Sequence, residues 1–246
     1  MTSLREMLTR PKALYGPFLA IPSPMVVEIA CASRLDFVCI DQEHSAIPSD
    51  ALENMLRAAA VHKVPALVRV PGFDAGAISK ALDSGADGIL VPHVSTEADA
   101  RNVVHAARFP PEGGRGAGPG RSTDYGRNIL KAVECARRDT LVAIQLETVE
   151  ALANLPAILA VPGIDLAFIG PGDLGLSLTA AGRSGQVALD DAIELILKGA
   201  AEAGVPAGIF CMTRAEAEKW ADRLALVICG SDTTQLVEGF EATFGS

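Results

Sequence analysis

The sequence predicts a single closed (β/α)8 barrel spanning residues 1–246, and three observations carry that expectation. Eight short, buried-looking strand candidates alternate with stretches of helical period along the whole chain. Those strand candidates are nearly continuous apolar runs. Such runs suit a parallel sheet covered on both faces better than a half-wet antiparallel one. The length of 246 residues is close to the ~250 typical of one such barrel, and no Pro/Ser linker or charge block divides it.

Taken in order, FLAI (18–21) is the first strand candidate, followed by a helical stretch at 24–34. FVCID (37–41) leads to a helix over 50–61 with Ser49 or Asp50 as its cap, and ALVRV (66–70) to one over 74–84 capped by Asp74. GILVP (88–92) precedes a helix at 95–107 that Ser95 would open. LVAIQLE (141–147) and LAFIG (166–170) are followed by helical stretches at 149–160 and 187–203. AGIFC (207–211) and LALVICG (224–230) complete the set, with helices at 213–222 and 232–243 capped by Thr213 and Asp232. RLDFVCID, GADGILVP and GIDLAFIG each place an aspartate (36, 87, 165) just before a strand, where turn and capping chemistry is expected.

One segment breaks the rhythm. Residues 109–127, FPPEGGRGAGPGRSTDYGR, form a Gly/Pro-rich connection that is long for a compact domain. It lacks the G-K-[ST] of a phosphate-binding loop. Two readings stay open: a mobile surface loop, or a lid or subunit-contact loop in which Arg115 or Arg121 meets an anionic ligand.

Composition narrows the function. Hydrophobic residues make up 49% and aromatics only 4%, indicating an aliphatic core large enough to fold without disulfides. A net charge of −9 with no basic cluster argues against a nucleic-acid partner. No apolar run reaches membrane-spanning length and MTSLREMLTRPK has no signal-peptide core, so a cytoplasmic enzyme is expected. The five cysteines (31, 39, 135, 211, 229) are scattered without a C-x-x-C pair, which fits reduced thiols.

The residues able to do chemistry lie at or just past the C-terminal ends of the strand candidates: Asp41, Glu43, His44, Arg69, Glu147 and Asp173. In a parallel barrel the βα-loops converge on that face and build the active site. Glu147 ends the fifth strand candidate, and Asp173 follows the sixth after Gly170, Pro171 and Gly172, which would turn the backbone tightly over the mouth. Neighbouring strands lie about 4.8 Å apart, so both carboxylates can reach one ion. Oxygen donors of this kind favour a hard divalent cation, Mg²⁺ or Mn²⁺, with Co²⁺ or Zn²⁺ as further candidates. In DQEHS (41–45), Asp41 and His44 can form a carboxylate–imidazole pair suited to general base catalysis. Arg69 interrupts an apolar strand, so it must be paired or face a ligand, where it can stabilise an oxyanion. His93, after the fourth strand candidate, is a candidate supporting residue. All six lysines (12, 63, 80, 131, 198, 219) fall outside the strand candidates, which removes a Schiff-base lysine and leaves enolate chemistry to a metal.

The runs FVCIDQEH, VRVP, LDSGADGILVPHV, ARFPPEGGRG, AIQLET and FIGPGDLGLSL, in collinear order over residues 15–240, resemble the metal-dependent pyruvate aldolases of the HpcH/HpaI type. These are the 4-hydroxy-2-oxoheptanedioate and 2-keto-3-deoxy-sugar-acid aldolases. The resemblance implies Glu147 and Asp173 as metal ligands, His44 as general base, and Asp41 and Asp83 as carboxylates supporting that histidine. It implies Arg69 facing the enolate oxygen and Gln145 contacting pyruvate, with Gly172 and Asp173 read as further substrate contacts. The implied reaction is reversible cleavage of 4-hydroxy-2-oxo acids to an aldehyde and pyruvate, or a close 2-oxo acid such as hydroxypyruvate, through an enolate held by the metal. It also implies a homohexamer, a trimer of dimers with the C-terminal helix packed on a neighbour. Gln42 replaces a more frequent glycine, and GPGRSTDYG departs from the family's usual run. Oxaloacetate decarboxylation and citramalyl- or malyl-CoA-type lysis are alternatives on the same barrel. So is a non-catalytic barrel that binds a 2-oxo acid.

Overall fold

The computed structural model describes residues 2–245. Eight parallel strands close into a barrel in chain order: β1 (Leu14–Leu19), β2 (Val38–Asp41), β3 (Ala66–Arg69), β4 (Gly88–Val91), β5 (Leu141–Leu146), β6 (Leu166–Ile169), β7 (Ala207–Cys211) and β8 (Leu226–Ser231). The helices are α1 (Leu4–Met7), α2 (Pro24–Cys31), α3 (Ser49–His62), α4 (Ala75–Asp83), α5 (Glu97–Ala107), α6 (Ile129–Asp139), α7 (Val149–Leu159), α8 (Pro171–Ala180), α9 (Gln186–Ala203), α10 (Arg214–Ala217) and α11 (Asp232–Phe244). Among the described residues, no helix is long and apolar enough to cross a membrane.

The apolar strand runs conceal a period of two. Val38, Ile40, Ala66, Val68, Ile89, Val91, Val142 and Ile144 face the helices in one core layer. Cys39, Leu67, Leu90, Leu141, Ala143 and Leu166 belong to the second core, inside the barrel, where Leu4 and Met7 of α1 also pack. Continuing the inward parity to the strand ends reaches Asp41, Arg69, Gln145 and Glu147. The polar site is therefore the top layer of the barrel filling.

The first strand begins four residues before the sequence reading placed it. Gly16 and Pro17 resemble a strand break, yet Gly16 lies within β1, where a Cβ would come 2.1 Å from the Phe37 carbonyl oxygen. The glycine admits β2 at close range, and the β1–β8 register shifts between Gly16 and Phe18. Three helices were not expected: the one-turn α1, and α6 and α8. The side chains of α6 include none that is fully buried, although Ile129, Ala132, Val133 and Ala136 recur at helical spacing on its part-buried side, and α8 opens with the Pro-Gly pair read as a turn. Caps also differ. Thr96, not Ser95, caps α5 in a capping box with Asp99, and α3 follows Pro48 without a side-chain cap. Ser231 caps α11, while Asp232 accepts from the Ala20 and Ile21 amides and so ties the end of β1 to that of β8.

The aspartates before alternate strands act as a repeated clasp. Asp36, Asp87 and Asp165 accept from the amides of Tyr15, Ala66 and Val142, each at the start of the preceding strand. Asp165 does more: it also binds Arg5 at 2.7 Å and the buried Arg108 at 2.5 Å. Asp165→Ala would strand the Arg108 charge and leave an amide unpaired, which should cost about 3–5 kcal/mol in urea denaturation. A loss below about 1 kcal/mol would show that the clasp carries little of the fold's stability.

The long 109–127 segment follows α5 and therefore lies at the N-terminal end of the strands. Arg115 pairs with Asp83 at 2.6 Å, and Arg121 packs against Gly85, both beside the end of α4. Topology places this loop at the floor of its own barrel, so it is not a lid over the chain's own mouth.

Candidate active site

Strand register brings the first two functional groups together. Asp41 on β2 and Arg69 on β3 are paired positions. Their side chains form a two-pronged contact, Nε to Oδ1 at 2.9 Å and Nη2 to Oδ2 at 2.7 Å. Arg69 also stacks on the Phe18 ring, 4.1 Å from its centroid, and its Nη1 lies 3.1 Å from Glu43 Oε2. Burial acts to lower the Arg69 guanidinium, but Asp41 and Glu43 outweigh it and hold the group above its ordinary value. For Glu43, burial pushes the carboxyl up, against the pull of Arg69. The Nη1 contact is not aligned as a hydrogen bond, so the buried Oε2 of Glu43 has no hydrogen-bond partner.

Asp41 was expected to support His44 directly. Its Oδ1 instead accepts the backbone amides of Glu43 (3.0 Å) and His44 (3.4 Å), while Arg69 takes the side-chain charge. The carboxylate near the His44 ring is Glu43, 3.7 Å from Nε2, and the ring is 59% exposed at the pocket edge. Asp83 does not approach His44 within one chain, since it ends α4 at the opposite face of the barrel and is held by Arg115.

Across the mouth stands Glu147, one residue past β5 and fully buried. Its Oε1 accepts the His93 backbone amide at 2.7 Å and lies 3.0 Å from His93 Nδ1. Its Oε2 accepts from Gln145 Nε2. Gln145 keeps a buried Oε1 without a partner. Gly170 leaves room for this carboxylate, because a Cβ there would come 2.5 Å from Glu147 Oε2. His93 reaches a second carboxylate as well, with Nε2 3.2 Å from Glu43 Oε1.

A cavity of about 310 Å³ opens beside the Asp41–Arg69 pair. Asp41, His44, Arg69 and Gln145 line one side, the first turn of α8 (Pro171, Gly172, Asp173) another, and Phe18, Phe168 and Phe210 give it apolar walls. Asp173, read from sequence as part of a tight turn, lies in the first helical turn of α8. Gly172 has open space around it. A site of this size takes a small ligand, and the free amides of a helix start favour an anionic one.

The residues present fit a divalent cation. Among the described residues no lysine or arginine pairs with Glu147, so a fully buried carboxylate meets only amide donors and an imidazole. Glu43, His93 and Glu147 offer donor atoms that all lie within 4.8 Å of one another. Sequence reasoning left Glu43 without a role and His93 as a supporting residue. Their common signal is position, two residues past the ends of β2 and β4.

The sequence profile of the HpcH/HpaI aldolase/citrate lyase family matches residues 14–238. The chain belongs to this family. A relative in Sagittula stellata, a hydroxypyruvate/pyruvate aldolase, is 39% identical over 87% of this chain and 86% of its own. In Klebsiella pneumoniae a 2-keto-3-deoxy-L-rhamnonate aldolase is 36% identical over 97% of this chain and 91% of its own. The solved structure of an HpcH/HpaI family protein from Burkholderia cenocepacia superposes with a TM-score of 0.90 at 30% identity, covering 99% of this chain and 98% of that one.

Proposed function

We propose that the chain is a divalent-metal-dependent carbon–carbon lyase, an aldolase that reversibly cleaves 4-hydroxy-2-oxo acids to an aldehyde and pyruvate or hydroxypyruvate. The observation that carries this reading is a buried arginine lining one small cavity, at the same end of the barrel as a buried carboxylate that lacks a cationic side-chain partner. Glu147 and Asp173 would hold the ion, with Mg²⁺ and Mn²⁺ as first candidates and Co²⁺ and Zn²⁺ as further ones. When bound, it supplies a Lewis acid at the keto oxygen of the substrate.

The chain's own residues do the rest. The start of α8, at Gly172 and Asp173, receives the substrate carboxylate with its unpaired amides. Arg69, fixed by Asp41, presents a preorganised positive charge to the oxygen that becomes negative as the C–C bond breaks. His44 takes the proton from the C4 hydroxyl during cleavage and returns it in the condensation direction. Gln145 contacts the 2-oxo acid, and the phenylalanine walls exclude water from the enolate. Exposed Leu236, Val237, Phe240 and Phe244 on α11 support a homohexamer in which this helix packs on a neighbour. The proposed location is the cytoplasm.

The test is proton exchange at the pyruvate methyl in D₂O, followed by NMR. With Mg²⁺ present the methyl signal should wash out, and with EDTA it should persist. Persistence of the signal under every metal, or trapping of a covalent adduct by borohydride, would refute this reading.

A further inference from the structure

We infer that His93 is itself a ligand of the divalent ion, through Nδ1, with Glu43 holding the ring in place. The inference rests on the proposed ion at Glu147 and adds to it a nitrogen donor and a cation preference.

The geometry has the right scale. Two donors each 2.1 Å from one ion at right angles are separated by about 3.0 Å. His93 Nδ1 and Glu147 Oε1 stand 3.0 Å apart. The other ring nitrogen, Nε2, is 3.2 Å from Glu43 Oε1. A metal-binding histidine commonly gives its second N–H to a carboxylate, which fixes the tautomer and strengthens the donor. Glu43 fits that role, with a side chain only 7% exposed.

The backbone is arranged to the same end. His93 sits in the left-handed region at φ 58°, uncommon for a residue with a side chain. That conformation lets one residue aim both its amide, 2.7 Å from Glu147 Oε1, and its ring at the same carboxylate oxygen. An ordinary extended residue after β4 has no such reason to adopt a positive φ. Glu43 is itself anchored from its other oxygen, Oε2, which lies 3.1 Å from Arg69 Nη1.

An imidazole donor shifts preference away from hard, oxygen-loving Mg²⁺ toward Co²⁺ and Zn²⁺. The experiment is pulsed electron paramagnetic resonance of bound Mn²⁺, with metal affinities measured by calorimetry on the whole protein. Wild type should show coupling to a directly bound ¹⁴N that is lost in His93→Gln. In that variant Co²⁺ affinity should fall at least tenfold and Mg²⁺ affinity by less than threefold. Glu43→Gln should keep the coupling and weaken Co²⁺ on the order of tenfold. Should His93→Gln fail to fold, ¹⁵N-histidine labelling of the wild type decides, since the coupling must change isotope. Bound Mn²⁺ without nitrogen coupling would overturn the role of His93 while leaving the ion at Glu147 standing. Absence of Mn²⁺ binding to the wild type would overturn both.

Discussion

Replacing Arg69 with alanine should lower kcat for cleavage of a 4-hydroxy-2-oxo acid by roughly 10²- to 10³-fold, about 3–4 kcal/mol in the barrier. The guanidinium is 7% exposed, held by Asp41 from one side and stacked on Phe18 from another, so it is already in position before substrate arrives. Such preorganised charge acts on the transition state more than on the ground state, and KM should move less than kcat. Arg69→Lys keeps the charge but cannot grip Asp41 with two prongs, so an intermediate loss is expected. The alanine variant also leaves Asp41 and Glu43 as neighbouring buried carboxylates without their counter-charge. Its urea midpoint should therefore fall along with its activity. Steady-state kinetics on folded variant separates the two effects. Turnover within tenfold of wild type would remove Arg69 from the chemistry.

The sequence made the barrel legible because a parallel strand buried on both faces has to be apolar throughout. Seven of the eight strand candidates coincide closely with β2–β8, and the miss at β1 came from Gly16 and Pro17, whose strand-breaking chemistry is overridden by the tight approach of Phe37. The same apolar continuity hid the parity that decides which residues point inward. Asp41, Arg69 and Glu147 could be found because a charge in an apolar run has few explanations. Partners were harder to read. That Asp41 pairs with Arg69, and not with His44, depends on the β2–β3 register, which no local pattern states. His93 was legible only as a candidate supporting residue after the fourth strand, because the positive φ that puts its amide and ring on one carboxylate leaves no mark in the sequence. Asp83 shows the limit most plainly: a residue at the end of α4 lies on the floor of the barrel by topology, whatever motif surrounds it.

Glu147→Gln should have the largest effect of all, at least 10³-fold in turnover, about 4 kcal/mol, because it removes a charged donor from the proposed ion while keeping shape and volume. The substitution also makes a prediction of opposite sign for stability. Without metal, wild type holds a fully buried carboxylate against amides and an imidazole, with no lysine or arginine beside it among the described residues. Neutralising it removes a desolvation cost, so in EDTA the variant's Tm should match or exceed that of wild type. Adding Mn²⁺ should raise the wild-type Tm with metal concentration, as any ligand that binds only the folded state must. The variant should lose that rise. The two curves therefore cross as metal is added, and a mere packing defect cannot produce such a crossing, since it would lower Tm at every metal concentration. If thermal unfolding shows wild type above the variant in EDTA and both climbing equally with Mn²⁺, the ion does not reside at Glu147.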